Sequence, residues 1–342
     1  MSHPRVLVIG DNRGRWSWKD EQHMIPYMNG IEAWVLATEG NYCDHHQVTE
    51  HDVNTHDIVI CNTNGLSNPV YSGKYISLAE RRKANVKWVS LLEGDMRDFL
   101  KPLGTIRPLF NASTLVNCIN IYATQFLQSL TNTPVAYVGI PYPVRGIRSL
   151  ALTKSERKQR VFVCPFMLNR WNDYSVASAL GLPIVGYQKT LRRTLRTLFH
   201  NYFTYGTITN KNVLIDRTYQ LYKDDSIQII PERNLPAYFN EIRENILWIN
   251  LDERYTWGRY VLDAAALGIP IITTKNTGHG PILFPQTTLE TPFDIPQAIE
   301  LGNRLLNDEA FYEEVSSYAS SRIDMYSPER ITEKLYTELG VS

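Results

Sequence analysis

Net charge is the first thing this chain lacks. Its 342 residues carry 35 Lys and Arg against 35 Asp and Glu. No overall field therefore drives it toward nucleic acid or an anionic membrane, and any nucleic-acid contact must come from a local patch. Long apolar runs are missing too. No stretch approaches the ~18 residues of a membrane span, and the first ten residues enter a strand pattern without the apolar core of a signal peptide. Cysteine is scarce: Cys43, Cys61, Cys118 and Cys164 are scattered, with no closely spaced pair. That spacing suggests neither a zinc site nor a disulfide framework, and buried free thiols in a reducing compartment are the expectation. Tandem repeats and low-complexity segments are also absent. A cytoplasmic, monomeric chain with no membrane attachment is expected.

What is present is an alternation of short apolar runs with helical patterns, the mark of α/β layers on parallel sheets. Strands are expected at 5–9, 33–37, 57–61, 86–92 and 135–140, with helices at 75–84 and 113–130. Pro141 and Pro143 then remove donors and restrict their predecessors, so 140–144 is irregular. The charged, weakly patterned residues 145–160 follow, and the junction between two domains falls there. The second half repeats the alternation, with strands at 160–164, 183–186, 227–230, 246–251 and 269–273. Its helices are expected at 175–180, 190–199, 235–241, 260–267 and 296–306, before a helical tail from 310 to 339. The division is 1–150 and 151–325, with the last helix, 326–342, returning to the first domain. Two doubly wound domains place a cleft between the carboxyl ends of their sheets.

The most informative stretch is 251–284. Gly258 opens a helix with Arg259 and Tyr260 in its first turn, Asp263 follows, and Gly268 to Thr273 turns the helix into a buried strand. The loop from Asn276 to Gly280 carries two glycines that let backbone N–H groups approach an anion. A carboxylate one turn into such a helix can accept both hydroxyls of a ribose, while the helix start faces phosphate. Asp263 on a merely solvated helix face is the alternative. Arg170, after the first strand of this half, suits a diphosphate or is a surface arginine. The pattern resembles the carboxy-terminal domain of GT-B glycosyltransferases, and Asp294 and the 326–330 run resemble it too. The resemblance implies an α/β protein of GT-B fold, two Rossmann-like doubly wound domains facing across a cleft. It also implies a donor nucleotide near Gly186, Tyr187, Glu232 and Arg233. Common retaining families carry two glutamates eight residues apart here; this chain has Tyr255 and Asp263.

In the first half, 52–62, 75–80 and 86–97 are similar to T-even phage DNA β-glucosyltransferases. There a strand ends in an aspartate, a hydrophobic residue and an arginine, and the aspartate is the catalytic base. Asp95, Met96 and Arg97 match. Independently, an inverting transfer needs a cleft carboxylate to deprotonate the attacking hydroxyl. Glu93 and Asp98 compete for that role, and a helix cap is the structural alternative for Asp95. The loop after the first strand interleaves Arg13 and Arg15 with Trp16 and Trp18, which suits phosphate contacts with base stacking, or sugar stacking. The resemblance makes Glu21 the nearest candidate for a second catalytic carboxylate. The basic run 189–196 would follow a DNA backbone or form a solvated helix face.

The expectation is thus an inverting hexosyltransferase using a uridine diphosphate sugar, with magnesium or manganese compatible with it. Its acceptor would be a hydroxymethylated pyrimidine extruded from double-stranded DNA. The competing readings are a GT-B enzyme acting on a glycan, lipid or small molecule, and a non-catalytic nucleotide-sugar or DNA-binding protein.

Overall fold

The computed structural model describes residues 3–10, 30–63, 69–96, 103–163, 171–188, 227–231 and 235–341. Among them twelve strands form two parallel sheets. The first has the order β2-β1-β3-β4-β5-β6. Its strands are β1 Val6–Gly10, β2 Asn41–Asp44, β3 Ile58–Asn62, β4 Lys87–Leu92, β5 Leu115–Cys118 and β6 Val135–Ala136. The second has the order β12-β11-β10-β7-β8-β9. It is built from β7 Lys158–Val163, β8 Ile184–Gln188, β9 Ile227–Pro231, β10 Asn245–Asn250, β11 Ile271–Thr274 and β12 Thr288–Leu289.

Helices cover these sheets. In the first half they are α1 Gly30–Ala37, α2 Glu50–Asn54, α3 Pro69–Arg81, α4 Leu103–Ala112, α5 Ile121–Gln128 and α6 Val144–Arg148. In the second they are α7 Trp171–Ala179, α8 Leu235–Ile242, α9 Arg259–Leu267, α10 Gly280–Leu283, α11 Ile295–Asn307, α12 Glu309–Arg322 and α13 Pro328–Leu339. The central strands β1, β3, β4 and β10 are almost wholly buried because helices cover both faces, which is why they read as continuous apolar runs rather than alternating ones. Trp34, Trp88, Trp248, Phe110 and Phe162 fill the space between layers.

Four expectations are corrected. Residues 33–37 belong to α1, not to a strand, and the edge strand β2 follows at Asn41. A short apolar run has no periodicity that separates a buried strand from a buried helix, and α1 is enclosed between the first sheet and α13. The expected long helix at 113–130 is instead β5 and α5. Asn120 separates them, its side chain accepting from the Tyr122 N–H as an N-cap. The tail is likewise two helices. Ser327 caps α13 and Pro328 occupies its first turn, which ends the preceding helical stretch. The strand expected at 135–140 is only β6, Val135–Ala136; residues 137–143 are irregular, as expected from Ile140 onward around the two prolines.

Strand order reverses between β1 and β3 in the first sheet and between β10 and β7 in the second. Ligands of doubly wound sheets bind outside the carboxyl ends at such points. Gly10 and Asn62 stand at the first, with the residues after β4 one strand away; the 251–258 segment stands at the second.

Candidate active site

Strand β4 ends at Leu92, and the chain turns through Gly94, whose φ of 117° an L side chain rarely adopts. Glu93, Asp95 and Met96 are thereby delivered to the carboxyl edge. Glu93 is half-buried. Its Oε1 accepts from the Gly30 N–H at 3.1 Å and its Oε2 from Asn62 Nδ2 at 2.6 Å. The first bond places the carboxylate at the start of α1, where the helix dipole favours negative charge. Burial nevertheless dominates and pushes the Glu93 carboxyl above its usual value; Gly30, Asn62 and the Arg259 charge draw it back. Asp95, two residues on, is half-buried at the rim of the same turn.

The opposite wall is the 251–258 segment and α9. Gly258 is left-handed, with φ 66° and ψ 43°. A Cβ there would stand 2.3 Å from the Thr277 carbonyl oxygen, so the loop after β11 packs directly on the helix start. Arg259 in the first turn lies with Nε 3.6 Å from Asp263 Oδ2. Its electrostatic influence extends to Glu93 in the other half.

The walls touch along a seam. The Met96 N–H donates to the Tyr255 carbonyl at 2.9 Å. Asn120 Nδ2 donates to the carbonyls of Thr256 and Asn276 at 2.9 and 2.8 Å. The Tyr137 hydroxyl and His279 Nδ1 are 3.0 Å apart. Burial drives the His279 pKa down to about 3, with Lys334 adding to the effect, so its imidazole is neutral. Finally, the Tyr142 hydroxyl donates to Asp263 Oδ1.

Asp263 is 1% exposed. Burial raises its pKa, opposed by Arg259 and by the Tyr142 hydrogen bond. The sequence reading has this carboxylate facing a ribose; in the structure it faces Tyr142 across the seam and Arg259 one turn back on its own helix. One further donor residue is placed differently from the expectation. Gly186 lies within β8, paired with Val163 and Ile229, and not at its end. The Tyr260 ring packs toward Phe162, their centroids 6.4 Å apart. Arg13, Arg15, Trp16, Trp18, Glu21, Arg170, Glu232, Arg233 and the 189–196 run lie outside the described residues, as does the side chain of Tyr187.

Asn62, Asn120 and Tyr142 were not singled out from sequence. Position after a strand marks Asn62, and the flanking prolines mark Tyr142 as fixed in place, but their partners are far away in the chain. A groove of about 1020 Å³ between the start of β1, the end of α1 and α13 lies at the opposite, amino-terminal edge of the first sheet and holds none of this constellation.

No protein-family model and no curated protein sequence matches the chain. Solved structures do. One is an α,α-trehalose 6-phosphate synthase from Burkholderia multivorans, with TM-score 0.66, 11% identity and 98% of each chain covered. A sucrose-phosphate synthase from Thermosynechococcus elongatus aligns with TM-score 0.61 and 12% identity, over 98% of this chain and 99% of that one. An α-glucosyltransferase in complex with UDP and a 13-mer DNA containing an HMU base has TM-score 0.59 and 11% identity, over 99% and 100% of the two chains. The chain has the GT-B fold. At these identities the likeness is one of fold. The DNA-bound GT-B structure is an α-glucosyltransferase, whereas the Asp95 motif resembles the β type. No helix among the described residues is long and apolar enough to cross a membrane.

Proposed function

We propose that the chain is a glycosyltransferase that moves a sugar, glucose in the first instance, from a uridine diphosphate sugar to hydroxymethylated pyrimidines in DNA. The observation that carries this reading is the seam itself. The β4 turn with Glu93 and Asp95 meets the glycine-opened start of α9 and Arg259, joined by the bond from Met96 to Tyr255. In this reading the proton acceptor and an anion-binding helix start face each other between the domains of a GT-B fold.

In the proposed inverting mechanism Asp95 takes the proton of the acceptor hydroxyl as its oxygen attacks the anomeric carbon. Diphosphate leaves toward the α9 start, where Arg259, together with Arg170, balances its charge. Glu93, already accepting two hydrogen bonds, holds Asn62 and α1 in place beside the base. When UDP enters, Asp263 exchanges the Tyr142 hydroxyl for the ribose hydroxyls, so donor binding loosens one stitch of the seam. Gly186, Tyr187, Glu232 and Arg233 complete the nucleotide site. Arg13, Arg15, Trp16 and Trp18 hold the strand and the extruded base, with Glu21 near the base. A magnesium or manganese ion would assist the leaving diphosphate.

A second reading is favoured by the balance of 35 basic against 35 acidic residues: the same chemistry on a glycan, lipid or small molecule. One experiment separates them. The protein is incubated with UDP-glucose and duplex DNA containing hydroxymethylcytosine, the DNA is digested, and the nucleosides are weighed. A hexose on the modified nucleoside supports DNA; UDP release without it, restored by another acceptor, selects the second reading. Asp95→Asn keeps size and capping ability but cannot accept a proton, so transfer should fall at least ~10²-fold with folding intact. Normal transfer by Asp95→Asn with failure of Glu93→Gln would move the base to Glu93.

A further inference from the structure

We propose that Asp44, His45 and His46, at the carboxyl end of β2, form a site for a divalent first-row transition ion of the zinc or cobalt type. One ligand atom from each side chain lies within 4.8 Å of the other two. Around an ion with bonds of about 2.0–2.2 Å, neighbouring donors stand roughly 3–3.5 Å apart. The three groups therefore need to close by at most about 1.3–1.8 Å, within reach of side-chain rotation.

The turn that carries them is held from several sides. The His45 N–H donates to the Gly10 carbonyl at 3.2 Å, and His45 itself is 5% exposed. The Asp44 carboxylate is oriented by the His46 N–H, 2.8 Å from Oδ1; the Tyr42 hydroxyl is shared between the Gly10 carbonyl at 3.0 Å and Asp44 Oδ2 at 3.3 Å. Lys74 Nζ donates to the carbonyls of both histidines, at 3.0 and 2.9 Å, and so fixes the backbone between them. Hydrogen bonds that orient a ligating carboxylate are a recurrent support of metal sites. His46, in contrast, is exposed and leaves a side open to solvent.

Ligand type decides which ion. Two imidazoles and one carboxylate suit zinc, cobalt or nickel, while magnesium prefers an all-oxygen shell with retained waters. Three protein ligands also leave a coordination position for water or an oxygen of a bound molecule. The place separates this site from the donor. In the order β2-β1-β3-β4, the end of β2 lies three strands from that of β4, about 14 Å at ~4.8 Å per strand. An ion here does not neutralise a diphosphate at α9. The inference stands without the glycosyltransferase reading, and its test needs no activity.

The full chain, stripped with a chelator, is titrated with Co²⁺ while visible absorption is recorded, and with Zn²⁺ by calorimetry, in each case with and without UDP. One equivalent is expected to bind in both conditions, with magnesium failing to compete. His46→Gln and Asp44→Asn should each weaken binding at least tenfold, while Cys43→Ser and His51→Gln leave it unchanged. Because His46 is exposed, its variant should keep the parent melting temperature, so weakened binding cannot be ascribed to misfolding. Absence of the cobalt band, binding that appears only with UDP, or undiminished binding in His46→Gln and Asp44→Asn would each overturn the assignment.

Discussion

Tyr142→Phe is the most incisive test of the seam. The Tyr142 ring is 1% exposed and meets Trp257 edge-on at 6.2 Å; phenylalanine preserves that packing. Only the hydroxyl is lost, leaving Asp263 Oδ1 without its donor in a buried place. A hydrogen bond to a charged group contributes ~1.5–3 kcal/mol. Unfolding entropy of ~2.1 cal/mol/K per residue amounts to about 0.7 kcal/mol/K for a chain of this length. The melting temperature should therefore fall by about 2–4 °C at pH 7. The effect also has a sign with pH. Tyr142 stabilises the Asp263 anion, so the parent carboxyl titrates below that of the variant, and the parent's advantage is lost as acidification protonates Asp263. Scanning calorimetry from pH 4 to 8 reads both features. UDP affinity, measured alongside, should be undiminished, since the tyrosine competes with the ribose for the same carboxylate. Equal melting temperatures with parallel pH curves would refute the buried bond; weakened UDP binding would refute the exchange.

Other consequences are as direct. Gly258→Ala forces a Cβ to 2.3 Å from the Thr277 carbonyl oxygen at a positive φ, so the start of α9 must shift. Isothermal titration should show UDP binding weakened at least tenfold, with a lowered melting temperature. Burial raises the Glu93 pKa, so its contribution to stability is fully present below the ordinary glutamate value and is lost as pH rises through the raised one. Relative to parent, Glu93→Gln should therefore gain stability between pH 4 and 8, and parallel melting curves would exclude it. If DNA is the acceptor, the balanced charge leaves few neutralised phosphates, and duplex affinity should fall with salt on a shallow slope. A steep slope in a filter-binding series would contradict that local-patch account.

The sequence by itself determined the layers. Continuous apolar runs such as Val6–Gly10, Ile58–Asn62 and Asn245–Asn250 can be satisfied only between two helical layers. The glycine at 258, the helix after it and the strand from Ile271 are local patterns, so this part of the second domain was legible in advance. The strand end carrying Glu93 and Asp95 was legible for the same reason. Tertiary structure decided what periodicity cannot express. Whether 33–37 became strand or helix depended on α13 arriving from the far end of the chain to cover it. Whether Asp263 met solvent depended on Tyr142, 121 residues earlier. The bonds that hold Glu93 come from 31 and 63 residues away. Desolvation and hydrogen bonding set the charge state of a carboxylate, and both are supplied by neighbours in space. Residue type and spacing name the candidate groups; packing within each domain, as for Glu93, and of one domain on the other, as for Asp263, decides which of them are buried, paired and raised in pKa.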